Sequence, residues 1–204
     1  VFEGWAGACS GRDACVVTMN AAKSVTAYFA SDTVVSWTNV GGVQEACVSS
    51  VNSLINALID AESDGAPSRI KVVQGTYRGL FAYAGENQNL ELLGGYTAVC
   101  ASRTINPALT ILDGDIDNNA TPDGVVLDLM VATAGAGNIT VDGFTVRNGI
   151  NTVDEGGCVR VFTDSGQVTV KGNVVTGCGA VDAGGVGVAT SSGKVLIANN
   201  IVYN

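Results

Sequence analysis

The run "DGDIDNNATPDG" at residues 113–124 is the densest array of hard oxygen donors in the chain. Asp113, Asp115, Asp117, Asn119 and Asp123 alternate closely enough for several oxygens to converge on one cation, and Ca²⁺ takes about six to eight such ligands in flexible geometry. The run lacks the terminal Glu of an EF-hand loop, and Pro122 interrupts it. Two expectations stand for it: a Ca²⁺ site, the one cofactor these residues suggest, or a solvated acidic loop. The second chemistry is that of sulfur. Cys9, Cys15, Cys47, Cys100, Cys158 and Cys178 form an even set without a CxxC spacing, and no His is present to complete a zinc site. Disulfides in an oxidising, extracytoplasmic compartment are the expectation. The set expected is Cys9–Cys15 across a short turn, Cys47–Cys100 and Cys158–Cys178; the alternative is that one or two are buried thiols.

The balance of charge narrows the partners. With 19 carboxylates against 10 Lys and Arg, the chain carries a net charge of -9 and repels phosphate backbones and anionic lipid, so nucleic acid is not an expected partner. The absence of His removes His-dependent proton transfer. No run approaches the ~18 apolar residues of a membrane span, and no basic-then-apolar signal segment opens the chain. The chain starts and stops in mid-pattern, and is expected to be a piece of something longer.

The elements that would position these groups show in a repeated phrase. "GNITVDGFTVRNG" at 137–149 returns as "GQVTVKGNVVTGC" at 166–178 and "GKVLIANNIVYN" at 193–204, after 29 and 27 residues. In this alignment Phe144 falls with Asn173 and Asn200, Val146 with Val175 and Val202, and Asn148 with Gly177 and Asn204. A second echo, "GGCVRV" at 156–161 and "GGVGVA" at 184–189, is spaced by 28. Short β-rich runs at 70–73, 90–93, 109–112, 139–141, 168–170 and 195–197 sit between Gly, Asn and Asp. Such a period predicts a coil in which each repeat is one turn, aliphatic residues pile inward, and corner Asn and Gly adopt left-handed conformations. The rival is a β-sandwich, which predicts hairpins and no repeated phase. One amphipathic helix is expected over 46–61, because Val48, Val51, Leu54, Ile55, Leu58 and Ile59 follow a three-four spacing ended by "DGAP" at 64–67. In residues 1–33 a turn at 10–13 and strands at 16–19 and 24–29 are expected.

Two resemblances accompany these readings. The segment "GWAGACSGRDACVVTMNAAKSVTAYF" resembles the closing half of a divergent internalin-type B repeat, through Trp5, "GACSG" at 7–11, Cys15, "VTM" at 17–19 and "KSVTA" at 23–27. That family of small β-grasp-like modules serves as spacers and adhesive stalks on bacterial surfaces. "IKVVQGTYRG" at 70–79, after an Ala-rich helix, resembles the opening rung of pectate-lyase-like β-helices, and "LELLGGYTAVCASRTINPALTILDGDID" at 90–117 is similar to bacterial secreted β-helix proteins related to outer-membrane adhesins. The resemblance spans about 45–204. It implies an all-β chain: a right-handed parallel β-helix (69–204), a linker strand and capping α-helix (34–68), and a small β segment (1–33).

Enzymes of this fold place carboxylates along one outer sheet. Here Asp142, Asp154 and Glu155 are the candidates, yet the next repeats carry Lys171 and Ala198 in the phase of Asp142. A lyase-type basic Arg would have to be Arg147 or Arg160. The expectation is therefore a non-catalytic extracellular or cell-surface scaffold of structural or adhesive role, taking a glycan or another surface as partner or associating end to end with itself. A polysaccharide lyase or epimerase is the alternative. Trp5 and Trp37 are either sugar platforms or core residues. Asn119 and Asn138 head N-glycosylation sequons of the kind an Asn- and Thr-rich chain carries by chance.

Overall fold

A computed structural model describes residues 2–7, 15–18, 22–29, 35–131 and 135–204. The chain forms two compact units, Val1–Val34 and Val35–Asn204, each described by itself. In the first, β1 (Phe2–Gly7) pairs antiparallel with β2 (Val25–Phe29). Residues 16–18, expected within a strand, are irregular; the ladder partner of β2 is the opening segment instead. The turn at 10–13 and the Cys9–Cys15 pairing lie outside the described residues.

The second unit opens with β3 (Trp37–Val40) and β4 (Val43–Val48), an antiparallel hairpin, followed by α1 (Val51–Ser63). The helix starts five residues later than its apolar spacing suggests. Ala46 and Val48 belong to β4, where they pair with Ile70 and Val72, and Ser50 then caps the helix: its side chain accepts from Ser53 N while Ser53 Oγ accepts from Ser50 N. Asp64 ends it, and Gly65 follows with φ +69°, a left-handed turn that suits a residue without Cβ.

Thereafter the chain winds through successive parallel passes. The first contains β5 (Ser68–Val73), β6 (Gly75–Arg78) and β7 (Phe81–Gly85). The second contains β8 (Leu90–Tyr96), β9 (Thr110–Asp113) and β10 (Leu127–Val131). The third contains β11 (Ile139–Asp142), β12 (Thr145–Arg147), β13 (Ile150–Glu155) and β14 (Val159–Thr163), and the fourth β15 (Val168–Lys171), β16 (Val174–Thr176), β17 (Gly179–Asp182) and β18 (Val186–Thr190). β19 (Val195–Ala198) and β20 (Ile201–Tyr203) begin a fifth. Equivalent strands of successive passes stack into three long parallel sheets, and β13 pairs with β17 in a short fourth one. The first runs β4-β5-β8-β11-β15-β19, with antiparallel β3 outside β4; the second runs β6-β9-β12-β16-β20; and the third runs β7-β10-β14-β18.

Alternation along each strand sends every second side chain into the interior, and the register stacks like on like. Ile70, Leu92, Val141 and Val170 form one column of the first sheet. Leu112, Val146 and Val175 form one in the second, and Leu127 and Val159 another in the third. All are fully buried. Val146, Val175 and Val202 align as the repeated phrase suggests. The other echo shifts by one residue: Val159 pairs with Val186, a spacing of 27, not 28. A spacing of 28 would set Val159 beside Gly187 and turn the whole strand inside out.

Corners carry their own stacking. Asn173 Oδ1 accepts from Phe144 N at 2.9 Å while its Nδ2 donates to Val141 O, and Asn200 repeats both contacts one pass later with Asn173 N and Val170 O. At the neighbouring corner, before the strands of the first sheet, Gly137, Gly166 and Gly193 lie over one another's backbone. A Cβ on Gly166 would sit 2.1 Å from Gly137 O, and one on Gly193 1.9 Å from Gly166 O. No side chain fits there.

Two disulfides follow the expected pairings. Cys47–Cys100 joins β4 to the segment after β8, and Cys158–Cys178 joins the third pass to the fourth. Helix α1 covers the outer strand of the third sheet, packing on β7 through Leu54, Ala57, Leu58 and Ala61, all buried. Glu62 accepts from Ala84 N of β7 at 2.8 Å, which satisfies an N–H on an otherwise unpaired edge. Trp37 packs against this core and donates to Asp60 Oδ2, so it is a residue of the cap.

Replacing Gly166 by Ala is expected to lower stability by about 2–3 kcal/mol, because the obstacle is backbone and not a movable side chain. Gly179→Ala, whose Cβ meets nothing nearer than Ile150 Cγ1 at 3.9 Å, should stay within about 0.5 kcal/mol. Urea midpoints compared at equal m-value separate the two.

Candidate functional site

The outward side chains of the first sheet form two rows. One reads Glu45, Arg69, Glu91, Thr140, Thr169, Leu196; the next reads Cys47, Lys71, Leu93, Asp142, Lys171, Ala198. All of these except Cys47 and Ala198 line a shallow groove of about 570 Å³ along this face, to which Tyr96, Arg103 and Gln167 also contribute. Arg69, Lys71, Arg103 and Lys171 are four of the ten cations in the chain. They face three carboxylates, Glu45, Glu91 and Asp142, which leaves the groove one positive charge in excess within a chain of net charge -9.

Every one of these charges is paired. Glu45 holds both Arg69 and Lys71, and Arg69 also reaches Glu91. Asp142, only 5% exposed at its side chain, takes Arg103 at 3.1 Å and Lys171 at 3.8 Å. Arg103 enters from the segment between β8 and β9: its Nε donates to Gly94 O and its Nη2 to Asp142 O. Tyr96 lies beneath two cations, Lys71 Nζ at 5.9 Å and Arg103 at 5.7 Å from the ring centre, so its π face attracts both. The hydrogen bond from Lys71, with that from Arg69, outweighs burial and holds the Glu45 carboxyl below its ordinary value. A carboxylate so held is a poor proton donor at neutral pH. Beside the charges, Asn89, Asn138, Thr140, Gln167 and Thr169 line an adjoining polar hollow of about 240 Å³. The face presents donors, acceptors and charge in a strip that follows the stacking direction.

The acidic run at 113–124 is divided by the fold. Asp113 ends β9, is 1% exposed at its side chain, and lies between Arg78 of the first pass and Arg147 of the third. Asn148 Nδ2 and Asp115 N also donate to it. Burial alone would raise its pKa; the hydrogen bonds from Asn148, Arg147 and Asp115 N, with the Arg147 charge, outweigh this and lower it. Asp115, Asp117 and Asp123 bring oxygens within 4.8 Å of one another. Those carboxylates already accept from the loop's own backbone: Asp115 from Asn119 N and Ala120 N, Asp117 from Asn119 N, and Asp123 from Ile116 N. Asn119 turns its side chain to Asp117 and Thr121 N. The run thus combines one inter-turn ion-pair centre with a self-capped loop, whose hydrogen bonds account for its shape.

Asp154 and Glu155 lie on β13, apart from the first sheet that carries Asp142. Arg147 is engaged by Asp113, and Arg160 by Asp128 and Asp154. The groove residues Arg69, Lys71, Glu45 and Glu91 carry a signal in sequence, namely charges two residues apart in "SRIKVV" facing charges one turn earlier and later. Arg103 carries none, since its segment interrupts the period. Comparison with protein-family models, with curated proteins and with solved structures finds no match to this chain.

Two outcomes follow from this chemistry. Because the Asp113 pKa is depressed in the fold, its contribution is present above the unfolded carboxylate value and is lost as pH falls through the folded one. Stability measured by urea unfolding should therefore fall more steeply with acid in wild type than in Asp113→Asn, which should be less stable at pH 7 by about 3 kcal/mol, with the gap closing as pH falls through the folded Asp113 value. Asp115→Ala should cost about 1–3 kcal/mol through two uncapped N–H groups, equally in chelator and in millimolar Ca²⁺. A melting temperature that rises with Ca²⁺ in wild type but not in this variant would assign the cluster to the metal.

Proposed function

We propose that residues 35–204 form a right-handed parallel β-helix of an extracellular, non-catalytic scaffold, whose first-sheet groove holds an acidic glycan. The handedness rests on the strong preference of parallel crossovers for the right-handed connection. The stacked strands support the helix reading, and the two disulfides support an oxidising compartment. Among the described residues no helix is long and apolar enough to cross a membrane. The observation that carries the functional reading is the groove: a strip of paired charges, with its excess cation, on an otherwise acidic chain. Fixed ion pairs of this kind supply oriented donors for carboxylate or sulfate groups and hydroxyls, while leaving no unpaired carboxylate in the groove for acid-base work.

Self-association belongs to the same reading: strand edges at an end of a parallel stack are the places through which copies pair end to end.

Affinity electrophoresis in gels containing polygalacturonate, with dextran as neutral control, tests the groove. Retardation by the acidic polymer alone is expected, weakening with salt and falling about fivefold in Lys71→Gln with Lys171→Gln. Equal mobility in both gels would overturn the binding assignment. Release of unsaturated uronates on long incubation would replace the scaffold by a lyase.

A further inference from the structure

The segment that brings Arg103 to the groove is fastened by Cys47–Cys100, which is more accessible than Cys158–Cys178. Between β8 and β9 the chain turns out at Thr97, passes through Cys100 and returns antiparallel, so that Arg103 bridges back to Tyr96. Thr97 N donates to Ser102 O and Thr104 N to Gly95 O, closing the return. At the tip Val99 and Cys100 both adopt left-handed backbone, φ 54° and 53°. Neither is Gly, and Val is β-branched, so each resists that conformation. Val99 is 86% exposed, so no packing of its side chain compensates for the strain. The tip is closed by hydrogen bonds from Cys100 N to Thr97 O and from Ser102 N to Thr97 Oγ1, and it is tied to the first sheet by the bond from Cys100 to Cys47, which places Cys100 Sγ 3.5 Å from the backbone O of the groove residue Lys71. Cys47 is exposed, whereas Cys158 of the other bridge is fully buried.

We propose that the Cys47–Cys100 disulfide is a redox latch on this strap and that, by holding residues 97–104 against the first sheet, it positions Arg103 and so sets the affinity of the groove. The inference rests on the groove being a binding site. A dithiol supplies the reducing step. Its thiolate attacks Cys47 Sγ and displaces the Cys100 thiolate; its second thiol then closes on the mixed disulfide and leaves as a cyclic disulfide. Two electrons pass to the cystine, and each freed sulfur takes up a proton. Val99 and Cys100 then relax to ordinary backbone, the Thr97–Ser102 closure opens, and Arg103 loses the frame that sets it on Asp142.

Dithiothreitol titration with alkylation and mass analysis tests the latch. Cys47–Cys100 should open at least about tenfold faster than Cys158–Cys178. With the latter intact, hydrogen exchange should rise at 97–104 and stay unchanged in β14 and β15. Polygalacturonate retardation should fall about fivefold, as it does in oxidised Arg103→Gln. Val99→Gly, which relieves the tip without touching the sulfurs, should make the bridge about threefold harder to reduce, a response that a purely structural bridge would not give. Equal reduction of both bridges, or unchanged exchange at 97–104 after reduction, overturns the latch. If oxidised wild type shows no retardation, the groove reading fails and with it the effect on affinity, while the exchange and reduction measurements still decide whether the strap is latched.

Discussion

Hydrogen bonding between one pass of the chain and the next governs this molecule. Parallel strands must lie at about 4.8 Å, and wherever the chain turns a corner that spacing applies to backbone as well. At Gly137, Gly166 and Gly193 the carbonyl of one pass occupies the place where a Cβ of the next would stand. At the neighbouring corner Asn173 and Asn200 fill the gap with an amide that bonds in both directions. Close approach at one corner and a bridging amide at the other hold the strands in register. Inside that frame the aliphatic columns need only be of roughly constant volume, which is why Ile, Leu and Val interchange freely along them.

The same spacing organises the charges outside. A residue pointing outward on one strand has its nearest neighbours on the strands above and below, so ion pairs run along the stack. Glu45, Arg69 and Glu91 make one such run, and Arg103, Asp142 and Lys171 another. Asp113 is the buried counterpart, linking three passes through Arg78, Arg147 and Asn148. Isolated surface pairs contribute little. These are different because Glu45, Asp142 and Asp113 each serve two cations and the strands fix most of the side-chain origins, which limits the entropy lost on pairing. The arrangement favours rigidity over reactivity, in keeping with the proposed role of a non-catalytic scaffold.

Much of the fold was legible in the repeats. The phrases that begin at Gly137, Gly166 and Gly193 begin at the corner where only Gly fits, and the alignment of Phe144, Asn173 and Asn200 marks the corner with the bridging amides. The Cys47–Cys100 and Cys158–Cys178 pairings were expected and are present. The helix start was less visible, since Ala46 and Val48 satisfy helical spacing and strand alternation alike; the serine pair at 49–50 and the partner strand β5 decide between them. The 28-residue echo misled by one position because Gly-rich text matches itself at several offsets, whereas buried valines tolerate one register.

The amino-acid sequence determined the period, the inward-facing residues and the corners, because these depend on local alternation and on side-chain size at a fixed place in each repeat. It could not determine which charges would meet. Ile139 pairs with Leu90 across 49 residues, a pass swollen by the segment bearing Arg103 and by the acidic loop, and within such insertions no period relates one residue to another. Only the tertiary structure brings Arg103 onto Asp142 and places Asp113 between two arginines, since contact there depends on how far a stacked backbone carries each side chain's origin, a distance that sequence separation does not encode.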